Sequence, residues 1–205
     1  MAIPASLLST KIEYPSKDGE LMAESGFQRE SLTYAVDALN IYFHNRPDVY
    51  VSGNLFFYYE EGNPEAVVAP DIFVVFGVEK RNRSSYLLWQ EGKAPNFVLE
   101  ITSKSTLSRD QGSKRGTYAF LGVSEYFQYD PTGDYLNPQL RDLRLVEGNY
   151  QPIPGTSLPN SLLSVHSEVL ELELRVESGE LRFYAPNTGE KLLTRLEAEQ
   201  ARLEA

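Results

Sequence analysis

Two acidic side chains stand where burial favours apolar ones. The stretches APDIFVV (69–75) and APNFVLEITSKST (94–106) each follow an Ala-Pro turn with a hydrophobic run, and each run carries one carboxylate, Asp71 and Glu100. Asp71 at the head of its run admits a plain reading: an aspartate after proline often satisfies a local N–H. Glu100 lies between Leu99 and Ile101, and an unpaired carboxylate inside a central strand costs several kcal/mol. If the two strands are neighbours and both acids project to one place, they repel each other. A bound cation resolves that conflict without protonating either. Two convergent carboxylates, a backbone carbonyl and water suit Mg²⁺. Further along, Asp110 and Lys114 stand four residues apart on a helix. They form either a solvent-facing ion pair or a lysine turned toward the acids, where an ammonium orients a water for attack on phosphorus.

The bulk composition narrows the chemistry. The chain has 205 residues, 41% hydrophobic and 23% charged, enough for one domain with a sizeable core. It has no cysteine, which excludes disulfides and thiolate metal sites, and only His44 and His166, too far apart in sequence for a zinc site. Any metal is therefore a hard cation on oxygen ligands, Mg²⁺ or Mn²⁺. No apolar run reaches a membrane-spanning length and the N-terminus lacks the pattern of a secretory signal, so a soluble cytoplasmic protein with no membrane partner is expected. The net charge of −10 argues against a general nucleic-acid binder. Yet from Glu79 to Arg115 eight basic residues face four acidic ones, +4 locally against −14 elsewhere.

These residues need elements to position them. Ser25 and Gln28 fit a capping box for an amphipathic helix over 27–44, stopped at Asn45-Arg46-Pro47. Strands are predicted over 49–51, 55–59, 66–76 with a break at Pro70, 86–89, 96–102 and 125–130. A second capping box at 108–111 opens a helix that ends at Gly122, so Glu100 sits in a strand–helix–strand crossover. The last third reads as antiparallel, with strands over 140–146 and 150–153 and a hairpin over 170–184 turning at Ser178-Gly179. A charged helix is expected over 190–205. His44 is placed to cap the first helix, and Tyr86, Trp89 and Tyr118 read as core aromatics rather than base-stacking groups.

Pro70-Asp71 followed by Glu100 in a hydrophobic strand resembles the PD-(D/E)xK nuclease superfamily. More closely, the chain resembles the Uma2 family of restriction-endonuclease-like proteins. The likeness rests on Ala69-Pro70-Asp71, Arg83-Ser84-Ser85-Tyr86, 89–93, 95–106, Asp110 with Lys114 and Tyr118, 122–127 and Tyr129-Asp130-Pro131, and covers about 26–190. It implies an α/β fold: a restriction-endonuclease-like mixed sheet flanked by helices, with an antiparallel hairpin extension and a C-terminal helix. The expected organisation is an arm over 1–25, a nuclease-like domain over 26–188 and a charged helix over 189–205. The superfamily lysine belongs two residues after the glutamate, where this chain has Thr102. The resemblance moves that lysine to Lys114, with Lys104 as a rival. It implies that Asp71, Glu100 and the Ile101 carbonyl hold Mg²⁺ (or Mn²⁺), that Lys114 assists the water, and that Asp110, with Thr102 in support, orients the lysine or meets a second metal. The implied activity is endonucleolytic hydrolysis of DNA, with a homodimer expected. Two rival readings stand beside it. One is a catalytically silent domain of this fold that binds a protein through its acidic C-terminal region, and the other a phosphohydrolase acting on a small substrate.

Overall fold

The computed structural model describes residues 12, 14, 26–159 and 163–204. The expected cap at Ser25 and nearly all of the 1–25 arm lie outside them. A six-stranded central sheet organises the chain in the order β1-β4-β6-β7-β8-β9. Its strands are β1 (Val49–Ser52), β4 (Ile72–Phe76), β6 (Phe97–Ile101), β7 (Glu125–Tyr129), β8 (Leu140–Val146) and β9 (Asn149–Pro152). Only β6 and β7 run parallel; β1/β4, β4/β6, β7/β8 and β8/β9 are antiparallel. A parallel pair needs a crossover, supplied here by α3 (Leu107–Gln111) and α4 (Ser113–Leu121). The mixed α/β fold and the strand–helix–strand unit are as the sequence predicts.

Side chains alternate across this sheet and define two apolar layers. Phe97, Leu99 and Ile101 of β6 join Ile72 and Val74 of β4 in one layer. That layer is covered by α1 (Gly26–Tyr42) and a second sheet ordered β10-β11-β12-β13. The second sheet comprises β10 (Thr156–Ser157), β11 (Leu163–Ser167), β12 (Leu172–Glu177) and β13 (Glu180–Tyr184). Val98, Phe73 and Val75 point the other way, into a layer with Tyr118 of α4, Tyr126 and Phe57. A small sheet of β3 (Val67–Val68), β2 (Phe57–Tyr58) and β5 (Tyr86–Leu87) contributes Phe57 and Tyr86 to that layer. All five residues of β6 are buried; each such apolar side chain contributes about 2 kcal/mol.

Several elements differ from expectation, each for a local reason. Trp89 lies in the short helix α2 (Leu88–Glu91), which Gly92 closes in the left-handed region. The crossover helix starts at Leu107 and is broken at Gly112, whose φ of −112° and ψ of −98° leave helical space. The C-terminal helix α5 (Arg195–Glu204) starts well after residue 190. Lys191 bridges Tyr184, and Leu192 donates to the Phe183 carbonyl, extending the second sheet instead. Thr194 and Glu197 then form a reciprocal capping box (2.8 and 3.1 Å) that starts the helix. The β12–β13 hairpin turns at Ser178 and Gly179 as predicted, both with positive φ. His44 accepts its expected role: Nδ1 lies 2.7 Å from the Ile41 carbonyl at the end of α1. His166, without an expected partner, meets Glu173 at 3.1 Å.

Candidate active site

The sheet register brings the two acids together. β4 pairs with β6 through Ile72↔Leu99 and Phe73↔Val98; one step further along the same ladder sets Asp71 beside Glu100. Alternation places both on the face that carries Phe73 and Val98, beneath α4. Asp71 is not satisfied locally. Its Oδ2 accepts the Ile101 amide at 2.7 Å, across the sheet. Close backbone approach holds that strand end: the Asn54 amide donates to the Asp71 carbonyl at 3.1 Å. A Cβ on Gly53 would lie 2.4 Å from that carbonyl oxygen, so only glycine fits there.

Glu100 is fully buried and its two oxygens have separate partners. Lys114 Nζ donates to Oε2 at 2.7 Å, and the Tyr118 hydroxyl donates to Oε1 at 2.5 Å. Lys114 and Tyr118 are four residues apart on α4 and therefore share its sheet-facing side. Lys114 Nζ also lies 3.4 Å from Asp110 Oδ1. Asp110 is not a surface residue: it is completely buried, and neither of its oxygens has a hydrogen-bond partner. Of the two readings of the Asp110–Lys114 pair, the solvent-facing one does not hold; the lysine is turned toward the acids. The α3–α4 break explains the geometry. With the helix interrupted at Gly112, the Asp110 carbonyl accepts the Tyr126 hydroxyl at 2.7 Å, and Gln128 Nε2 in turn donates to Tyr126 at 3.1 Å.

The electrostatics follow from three buried acids sharing one ammonium. Burial, then the Asp71 charge, pushes Glu100 up to about 8, against the pull of Lys114 and Tyr118. Burial likewise raises Asp71, opposed by Lys114 and the Ile101 amide. Burial and the Glu100 charge raise Asp110. Burial pulls the Lys114 pKa down, but the surrounding acids Glu100, Asp71 and Asp110 outweigh it and hold the amine protonated. Burial and Glu100 keep the Tyr118 phenol protonated, a donor only.

Fully ionised, the cluster carries −2, and a divalent cation would neutralise it. The donors are hard oxygens, which suits Mg²⁺ or Mn²⁺. Among the described residues no three His, Cys, Asp or Glu side chains already converge on one metal-sized point. A cation here would therefore rest on the Asp71–Glu100 pair, with backbone carbonyl and water completing its shell.

Of the two rival lysines, the structure brings Lys114 to the acids and leaves Lys104 exposed in the loop after β6. Thr102, at the position of the superfamily lysine, is buried; its amide donates to Tyr129 at 2.7 Å and its hydroxyl has no partner. The Ile101 side chain belongs to the apolar layer of α1, while its amide serves Asp71. The sequence reading missed the Tyr118 hydroxyl as a partner of Glu100. The signal was present: Asp110, Lys114 and Tyr118 recur every fourth residue, one stripe of a helix. The basic segment divides. The Arg83 side chain is enclosed in a bidentate pair with Glu91 (2.8 and 2.7 Å) with its guanidinium 4.2 Å over Tyr50, and Arg81 joins Glu91 at 2.6 Å. Lys104 and Arg109 remain exposed on the segment that follows Glu100.

A mixed sheet with one parallel crossover, two acids paired across adjacent strands and a lysine on the crossover helix defines a restriction-endonuclease-like α/β protein. The family described as "Uma2: Putative restriction endonuclease" matches residues 6–177. The chain belongs to the Uma2 family. A solved structure titled as a putative nuclease belonging to DUF820 from Anabaena variabilis ATCC 29413 is similar at 15% identity. The similarity covers 67% of this chain and 74% of that one, with a TM-score of 0.49. No curated protein matches the chain. No helix among the described residues is long and apolar enough to cross a membrane.

Proposed function

We propose that this protein is a metal-dependent endonuclease that hydrolyses DNA phosphodiester bonds. The observation that carries the reading is the buried contact of Lys114 with Glu100, itself paired with Asp71 across the sheet. Asp71, Glu100 and the Ile101 carbonyl would hold Mg²⁺ or Mn²⁺, which when bound supplies Lewis-acid activation of the phosphate and lowers the pKa of a coordinated water. The chain's own residues position the reactants. Tyr118 fixes the Glu100 carboxylate, the Ile101 amide fixes Asp71, and Lys114, protonated, directs its N–H groups toward the attacking water or a phosphate oxygen. Lys104 and Arg109, exposed just beyond Glu100, are available to phosphates flanking the scissile one. A homodimer would align two such basic segments, and light scattering on the purified chain tests that state.

The test is nicking and linearisation of supercoiled plasmid with Mg²⁺ or Mn²⁺, beside hydrolysis of a small phosphodiester. The expected result is plasmid cleavage by the wild type that EDTA stops, with Asp71→Ala and Glu100→Ala reducing it at least a hundredfold. Absence of cleavage and of metal binding at any divalent concentration refutes the proposal. That outcome favours a silent protein-interaction domain, a reading supported by α5, which has no buried residue and exposes Leu196 and Leu203. Cleavage of the small ester with intact plasmid favours a small-molecule phosphohydrolase.

A further inference from the structure

The contacts inside the site imply an order of events when a cation enters. Three carboxylate oxygens of the paired acids have a fixed or a movable partner. The Oδ2 of Asp71 is tied to a backbone amide in the sheet. The Oε1 of Glu100 is tied to Tyr118, which is 1% exposed and packed against Tyr126 at a ring separation of 5.2 Å. Neither partner has room to withdraw. The third partner, on Oε2, is a lysine ammonium at the end of a flexible stem with 15% of its side chain exposed. It also has somewhere to go. Asp110 Oδ1 is 3.4 Å from the same nitrogen, buried and without a hydrogen bond. A movement of well under 1 Å turns that approach into a full charge-assisted hydrogen bond.

We propose that Lys114 occupies part of the cation's place on Glu100, and that Asp110 is the positioning residue that receives the ammonium when a divalent cation takes Oε2. This rests on the metal-dependent reading above and gives Asp110 a role distinct from that of a metal ligand. The buried carboxylate, ion-paired with Lys114 but without a hydrogen bond, then has a reason to persist: leaving such a group short of a hydrogen bond is unfavourable, and here it is short of one only in the cation-free state. The arrangement also keeps the lysine within reach of the reacting atoms after it leaves Glu100. Asp110 sits one residue before the Gln111-Gly112 break, and Lys114 opens the first turn after it, so the α3–α4 break sets their separation. The Tyr126 hydroxyl on the Asp110 carbonyl fixes the acceptor.

The test is a crystal structure of the wild type soaked with Mn²⁺, located by its anomalous signal, together with Mn²⁺ titration by electron paramagnetic resonance. The expected structure has Mn²⁺ between Asp71 and Glu100 and Lys114 Nζ within about 3 Å of Asp110. In solution, Asp110→Asn is expected to weaken Mn²⁺ binding about tenfold while the folded fraction is unchanged, and Asp110→Glu to restore part of the loss. A bound ion with Lys114 still on Glu100, or with Asp110 in its coordination shell, overturns the transfer and leaves the nuclease reading standing. An unperturbed Mn²⁺ affinity in Asp110→Asn overturns it as well. Absence of any bound ion overturns both.

Discussion

Glu100→Gln in the metal-free protein should reverse the usual sense of a buried-carboxylate substitution. The folded-state pKa of Glu100 is pushed up to about 8, against 4.5 for an ordinary glutamate. The folded state therefore holds a proton that the unfolded state has released throughout pH 4.5 to 8. Stability rises with pH only where the unfolded chain binds more protons; here the folded chain does, so stability falls as pH rises across that window. Between pH 5.5 and 8 the loss amounts to about 3 kcal/mol, at about 1.4 kcal/mol per pH unit. For a chain of this size that corresponds to roughly 6–12 °C in Tm. The assay is thermal unfolding in EDTA at pH 5.5, 6.5, 7.5 and 8.5, followed by circular dichroism. The wild type is expected to lose stability across the series, and Glu100→Gln to lose less than half as much and to melt higher at pH 8.5. Charge changes elsewhere act on both proteins alike, so the difference between the profiles belongs to the site. Parallel profiles would refute the claim that the cluster holds more buried acid than its one lysine can balance.

Two further outcomes test the frame around the acids. Gly53→Ala places a methyl group 2.4 Å from the Asp71 carbonyl oxygen. It should cost about 1–3 kcal/mol and weaken Mn²⁺ binding by displacing Asp71, read by chemical denaturation and metal titration. Replacing Lys104 and Arg109 together by alanine should lower the slope of log affinity against log salt for DNA by about 2, read by fluorescence anisotropy. Arg83→Ala should leave that slope alone and cost about 1–3 kcal/mol of stability, since Glu91 loses its bidentate partner and keeps only Arg81.

Much of this architecture was legible along the chain because it is encoded in short-range periodicity. The alternation in LELELRV marks a half-buried strand, the unbroken apolar run around Glu100 a central one, and Ser178-Gly179 a hairpin turn. These patterns depend on a few neighbouring residues, and β12, β6 and the turn follow them. Boundaries set by competition were not legible. Leu192 sits at helical spacing with Leu196, yet its amide completes the second sheet, and the helix waits for the Thr194–Glu197 cap.

The sequence by itself determined that Asp71 and Glu100 are anomalous, that Glu100 precedes a crossover and that a lysine follows on the helix. Only the tertiary structure decided which atoms meet. Asp71 and Glu100 are 29 positions apart, and the ladder that pairs them is set by the registers of two strands, information no local window contains. Burial decided the rest. Asp110 and Lys114 fit a surface pair or an inward lysine equally until packing removes water from the aspartate, and Arg83 counts as one more basic residue of its segment until Glu91 and Tyr50 enclose it. A side chain's charge is written in its type, but the dielectric and the partners that give the charge its meaning exist only once distant segments have packed together.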